Sequence, residues 1–589
     1  MRNFNIALVI IVSLALLVQA CKKSSASGGG NTPTDTAPTT ITPPTEPAIA
    51  STQGFFLDNW QSKTWIAPSA TSTTTKPAAF GSVIVTVDLS KEITKVSSLI
   101  YGNNANPFMG QISTVPTLIN NISALSPNII RFPGGSLSDV YFWDQSSQAP
   151  ADAPAQLLDD NGNASAADYW FGNNSAYTGT MTVDNYYSTL QQTKSTGLIT
   201  VNYGYARYGT GPTPVQTAAH YAANWVRYDK GRTKYWEVGN EIYGNWEAGY
   251  RINQTQNHDG QVQIQDGTTY GNHFKVFADS MRAAALQVGN TSIKIGIVVD
   301  GANDANGASE GQVSNWNSNV LKAAGNTADF FVVHNYYTPY DQNSTAAVIL
   351  GTPSPGTSQM MSWIETSATN AGVTQVPVAM DEWNIQATGS SQMVSDVAGA
   401  HAVMVLGEAL KDQISMASRW DLANGYDNGD DMGMFNNSAP YEDAEPNAPA
   451  WNARPAFYYM YFFQRYIGDH LLTTASNDAD VTAYGSSYSS GQAGVILVNT
   501  STATHTVQVN FRNFAAGSNY YYYTLNGGSD NPPFSHQVFV NGIGPATATG
   551  GPSNYATIPP IMASQAGGII VSVPANGAVY LMADKKMNL

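Results

Sequence analysis

The chain is short of charge and nearly free of cysteine. Of its 589 residues only 12% are Asp, Glu, Lys or Arg, about half of the usual ~25%. That excludes a surface held by ion-pair networks. It does not signal disorder, because 42% of residues are hydrophobic and a disordered chain needs low hydrophobicity with high net charge. Basic residues are scarcest: 26 Lys and Arg face 42 Asp and Glu, a formal charge of −16. Such a chain has little with which to hold phosphates, so nucleic acid is excluded as a partner. A single cysteine allows no internal disulfide and no cysteine-rich zinc site. No repeat of solenoid period is present. Asn, Ser, Thr, Gly and Tyr fill the gap. The aromatic share is 11%, and flat apolar rings on a weakly charged polar surface suit sugars.

No apolar run is long enough to span a bilayer. Arg2 precedes the apolar stretch Ile6 to Val18, followed by Gln19, Ala20 and Cys21. This order reads as a secretory signal over residues 1–20. Val18-Gln19-Ala20-Cys21 resembles the bacterial lipobox. The resemblance implies that Cys21 is lipidated and becomes the mature N-terminus, anchoring a secreted lipoprotein to a cell-envelope membrane, the outer membrane by expectation. Each buried methylene of an acyl chain contributes about 0.8 kcal/mol, so several chains anchor firmly. Residues 21–52, rich in Ser, Thr, Pro and Gly, read as an extended tether.

From residue 95 to 468, short apolar runs alternate with segments of helical spacing. The runs are Leu99 to Asn103, Asn128 to Phe132, Gly197 to Tyr203, Lys234 to Val238, Ser292 to Val299, Phe330 to Asn335, Val376 to Met380 and Ser415 to Trp420. Helical spacing is clearest over Thr217 to Tyr228, His273 to Val288 and Val394 to Lys411. Eight buried parallel strands with intervening helices predict an α/β fold, a (β/α)8 TIM barrel with enlarged loops. A doubly wound sheet is disfavoured, since no glycine-rich phosphate loop follows the first strand. Residues 469–589 change texture. Val495 to Asn499, Thr506 to Phe511, Asn519 to Leu525 and Gly567 to Val573 lie between turn residues and predict an antiparallel β-sandwich domain. In the N-terminal segment 53–94, Gly81 to Leu89 alternates and is expected to pair into that sandwich.

In such barrels the working groups lie at the C-terminal strand ends. The fourth run leads into Gly239-Asn240-Glu241 and the seventh into Asp381-Glu382-Trp383. Two carboxyl groups facing each other across a barrel mouth are what a retaining glycosidase needs: one protonates the leaving oxygen and the other attacks the anomeric carbon. The acid must stay protonated, so its pKa is expected to be raised, while the nucleophile stays ionised. The acidic loops Asp300 to Asp304 and Asp427 to Asp431 do not fit the twelve-residue calcium-loop pattern. No metal and no cofactor are expected.

These two motifs, with Arg131-Phe132-Pro133-Gly134-Gly135 on the second strand and His334-Asn335-Tyr336 on the sixth, resemble clan A retaining glycoside hydrolases. The nearest likeness is to family 51, the α-L-arabinofuranosidases. The resemblance implies Glu241 as acid/base and Glu382 as nucleophile. It places Arg131 against Glu382, Asn240 on the sugar 2-hydroxyl, and His334 and Tyr336 beside the nucleophile. Trp143, Trp246, Tyr337 and Trp383 follow these motifs and are candidates to stack on sugar rings, Trp383 foremost. Two positions depart from family 51. Ser136 stands where that family carries an Asn touching the furanose, and Tyr101-Gly102-Asn103-Asn104 lacks its acidic residue beyond the first strand. Three readings therefore stay open: an arabinofuranosidase-like enzyme on plant-type poly- or oligosaccharide, an endo-β-1,4-glycanase (glucanase or xylanase) of the same clan, and a non-catalytic glycan-binding surface lipoprotein. The sequence fixes no oligomeric state.

Overall fold

The computed structural model describes residues 41–77, 82–304, 311–426, 432–437 and 444–586. The signal segment, Cys21, most of the tether and the loop Asp427 to Asp431 lie outside the described residues.

Eight parallel strands close into a barrel. They are β1 (Gly102–Asn104), β2 (Ile129–Phe132), β3 (Thr196–Val201), β4 (Tyr235–Val238), β5 (Lys294–Val298), β6 (Phe330–Tyr336), β7 (Val378–Asn384) and β8 (Met416–Arg419). The ring closes where β8 pairs with β1. Inward-facing apolar residues near the strand starts fill the floor: Ile129, Leu198, Tyr235, Phe330, Ala379 and Met416. Phe56, from the short 3-10 helix Gly54–Leu57, joins that cluster and plugs the barrel from below. Thr52 anchors this plug by accepting the Val378 N–H at 2.8 Å.

The expected first strand is mostly something else. Ser98–Tyr101 forms a 3-10 turn whose Leu99 N–H donates to Ser97 Oγ, and the strand itself starts at Gly102. The seventh strand runs further than expected, through Asn384, so the acidic motif lies on the strand rather than past it. The chain also joins the fold earlier than a tether ending at 52 implies. Thr42 N–H donates to Asn513 Oδ1 at 3.2 Å, and Thr45 bridges to Lys91.

The second region is a ten-stranded sheet that folds over on itself. Val83–Lys95 pairs antiparallel with His470–Ser476 and parallel with His505–Arg512, so one pair departs from a purely antiparallel pattern. Strand alternation separates two apolar faces. On Ala493–Asn499, Val495 and Leu497 enter the sandwich core, whereas Ile496 and Val498 join the barrel core. The helix Pro455–Tyr466 lies in that shared core with every side chain but Arg465 buried. A helix apolar on all sides needs cover on all sides; here barrel and sheet supply it. Among the described residues, no helix is long and apolar enough to cross a membrane.

Candidate active site

Arg131 on β2 is fully buried in a barrel that would otherwise exclude charge. It persists because every arm is matched. Its Nε donates to Glu237 Oε1 at 2.7 Å and Nη1 to Asn104 Oδ1 at 3.0 Å. Nη1 also donates to Glu382 Oε2 at 2.9 Å, and Nη2 to Asn240 Oδ1 at 2.8 Å. One guanidinium thus ties β1, β2, β4 and β7 together beneath the mouth. Burial, with the neighbouring Asp381 charge, raises the Glu237 acid well above its usual range against the opposing pull of Arg131.

Glu241 follows β4 in a tight turn. Gly239 has φ +78°, and a Cβ there would lie 2.7 Å from Ile242 and 2.8 Å from Tyr203, so only glycine fits. Glu241 itself sits at φ +40°, a strained setting for a side-chain-bearing residue; such strain persists where surroundings over-determine it. Asp139 supplies part of that determination by accepting the N–H groups of Asn240, Tyr203 and Gly204. Three donors then aim at the Glu241 carboxylate. Tyr243 Oη donates to Oε1 at 3.0 Å and Trp246 Nε1 to Oε2 at 3.0 Å, while His334 Nδ1 lies 2.9 Å from Oε1.

Glu382 is nearly buried, receives Arg131 on Oε2 and accepts Tyr336 Oη on Oε1 at 2.8 Å. One oxygen of Glu241, one of Glu382 and a nitrogen of His334 all lie within 4.8 Å of one another. The electrostatics reverse one expectation. Burial pushes Glu241 up, but the hydrogen bond and charge of His334, with Trp246 and Tyr243, outweigh it and hold the carboxyl below its usual range. Burial raises Glu382, with the Glu241 charge adding to it and His334, Arg131 and Tyr336 opposing. Burial disfavours a charged His334, yet Glu382, Asp381 and Glu241 raise it well above an ordinary imidazole. These opposed shifts favour the proton on His334 over Glu241 across their hydrogen bond.

The site gathers Arg131, Asn240, Glu241, Trp246, His334, Tyr336 and Glu382, as anticipated. Three of the anticipated aromatics are not there. Trp383 is 0% exposed and packs in the core outside the barrel, the opposite side of β7 from its neighbour Glu382; successive strand residues face opposite ways. Trp143 packs on Trp225 at 5.8 Å and donates Nε1 to the Tyr221 carbonyl. Tyr337 is buried with its hydroxyl on Thr357 Oγ1. None of the three can stack on a sugar. Trp246, 48% exposed, can.

Several contributors are residues to which the sequence assigns no role, although Asp381 and Asn104 stand within the quoted motifs. Asn104, Glu237 and Asp381 lie under the glutamates, and their signal was polarity inside buried strands. Trp420, at the end of β8, lies over Gly134 and Gly135, where a Cβ on Gly135 would meet its ring at 2.4 Å; it was legible only as the last residue of the eighth run. Glu247 had no signal beyond proximity to Glu241.

Glu241, His334 and Glu382 could also present ligand atoms to a cation. Arg131 and Tyr336 already occupy the Glu382 oxygens, so the donor set suits proton chemistry better. The Asp300 to Asp304 loop spends its Asp304 carboxylate on the Asn317 and Ser318 N–H groups, at the start of helix Trp316–Ala324.

No family model and no curated protein matches the chain. Solved structures do share its fold. A family 51 α-L-arabinofuranosidase from Bifidobacterium longum aligns with 86% of this chain and 100% of its own at TM-score 0.58 and 14% identity. The GH51 α-L-arabinofuranosidase of Thermotoga petrophila RKU-1 aligns over 85% and 100% at 0.57 and 16%. A bifunctional glucanase-xylanase from a metagenome library aligns over 86% and 99% at 0.52 and 13%.

Proposed function

We propose that the protein is a retaining glycoside hydrolase acting on plant-type polysaccharide or its oligosaccharides, with Glu382 as nucleophile and Glu241 as acid/base. The observation that carries this reading is the approach of Glu241 and Glu382 oxygens within 4.8 Å. Retaining enzymes hold their carboxyl groups about 5–5.5 Å apart, whereas inverting ones need roughly 6.5–9.5 Å to admit a water. Glu382 attacks the anomeric carbon while the glycosidic C–O bond breaks and the leaving oxygen takes a proton from Glu241. That proton is the one His334 passes to Glu241 across their hydrogen bond before the C–O bond breaks, so Glu241 is left as a carboxylate and His334 as a neutral ring. Water then enters, loses a proton to Glu241 and releases the sugar from Glu382. Arg131 and Tyr336 keep Glu382 oriented through both steps.

For the sugar, the family 51 likeness of fold supports an α-L-arabinofuranosidase-like activity. Ser136 and the Asn103-Asn104 pair support the endo-β-1,4-glycanase reading instead, because they replace family 51 residues around the cleaved sugar. A chromogenic panel of α-L-arabinofuranoside, β-xyloside and β-glucoside beside polymeric glucans separates these. Glu382→Ala should lose nearly all turnover on whatever the parent cleaves; normal turnover ends the hydrolase reading. Binding without cleavage across acidic to neutral pH favours the glycan-binding lipoprotein. We also place the protein on the cell-envelope membrane through a lipidated Cys21. Fatty-acid labelling that survives Cys21→Ser would refute the anchor.

A further inference from the structure

The carboxyl group of Glu247 has no role in the steps above, yet it is 3% exposed beside the reacting groups. Ser136 Oγ donates to its Oε1 at 2.7 Å, and Asn240 Nδ2 donates to the same oxygen at 2.9 Å. Its Oε2 is buried and has no partner among the described residues. Burial, with the charges of Asp139 and Glu241, raises the acid well above the ordinary carboxylate range. The neutral form is cheaper to bury and still accepts two hydrogen bonds.

Asn240 is held from its other side as well. Asn240 Oδ1 accepts from Arg131, and its backbone N–H is fixed on Asp139. A flipped amide would set its NH2 against the guanidinium and its oxygen against Glu247 Oε1. Held at both ends, the amide keeps one orientation, and its second Nδ2 hydrogen has no acceptor among the described residues. Ser136, exposed at the mouth, closes the outer side of Glu247.

We infer that Glu247 is a positioning residue that, with Ser136, locks the Asn240 amide in the one orientation that leaves an N–H free for the sugar 2-hydroxyl contact the family 51 likeness already implies. The inference rests on the hydrolase reading. A contact of this kind strengthens as the oxocarbenium-like transition state forms, so its loss shows in kcat more than in KM.

The test uses the aryl glycoside that the full-length parent cleaves best, together with its 2-deoxy counterpart. The parent should prefer the hydroxylated substrate by at least about 100-fold in kcat/KM. Glu247→Ala should lower kcat on that substrate roughly 10–100-fold, leave KM within about three-fold, and shrink the preference below about 10-fold. Glu247→Gln keeps the acceptor oxygen and should recover most of the loss. Ser136→Ala leaves the buried carboxyl in place and carries the test if Glu247→Ala does not fold; it should lower the preference about three-fold. An undiminished preference in Glu247→Ala or Ser136→Ala, or a Glu247→Gln as poor as Glu247→Ala, overturns the inference and leaves the hydrolase reading standing. A parent that cleaves no member of the panel overturns the hydrolase reading and the inference with it.

Discussion

Three carboxyl groups surround one imidazole: Glu241, Asp381 and Glu382 each have an oxygen within 3.8 Å of a His334 ring nitrogen. Charge on that ring lowers both Glu241 and Glu382. The consequence is a bell-shaped pH profile. Catalysis needs Glu382 ionised and one proton on the Glu241–His334 pair. The acidic limb therefore follows Glu382, above the usual 4.5, and the alkaline limb follows His334, well above 6.5. His334→Ala removes the cation that lowers Glu382, so the acidic limb moves up. It also hands the proton to a carboxyl, which starts from a lower pKa than an imidazole, so the alkaline limb moves down. The kcat/KM profile of His334→Ala should be a narrower bell; an unmoved acidic limb would show that the ring carries no charge.

At the scale of elements, the helix Asp396–Lys411 shows why local propensity does not decide alone. Gly407 lies inside it, where alanine would ordinarily stabilise by about 1 kcal/mol. Here the added Cβ would lie 2.4 Å from the Tyr484 ring of the sheet. That ring cannot retreat freely, because Tyr484 Oη donates to the Met404 carbonyl and to Glu408 Oε1. Overpacking costs about 1–3 kcal/mol and outweighs the propensity gain. Gly407→Ala should therefore lower the melting temperature by a few degrees in calorimetry; a rise would mean that helix and sheet separate easily. The pattern of strands and helices was readable because each element writes its own period into the sequence. Boundaries were readable only where turn residues marked them. The 3-10 turn at Ser98–Tyr101 looks like a strand in residue type, and the β7 extension through Asn384 depends on its pairing with β6 and β8.

On the scale of the whole molecule, one face of the sheet shares the barrel's core while the other keeps a sandwich core of its own. Tyr484, Ile496, Val498, Tyr523 and Tyr580 of the sheet belong to the same apolar cluster as the barrel helices. Tyr580 Oη donates to the Tyr459 carbonyl in the buried helix Pro455–Tyr466. Removing residues 469–589 would expose that helix and leave Val83–Lys95 with neither of its strand partners. The truncated chain should be insoluble or bind a hydrophobic dye strongly; a monomeric barrel with native near-ultraviolet circular dichroism would contradict the shared core.

What the sequence determined by itself is what neighbours along the chain can encode: the alternation of strand and helix, the change of texture near residue 469, and two glutamates at the ends of buried runs. What only the tertiary structure decided is what distant residues do to one another. Trp246 reaches Glu241 while Trp383 and Trp143 pack away from the site, because the side of a strand or loop that faces the site is set by register and packing. The competition for a proton between Glu241 and His334 is set by charges brought together from β4, β6 and β7, at distances that no local pattern records.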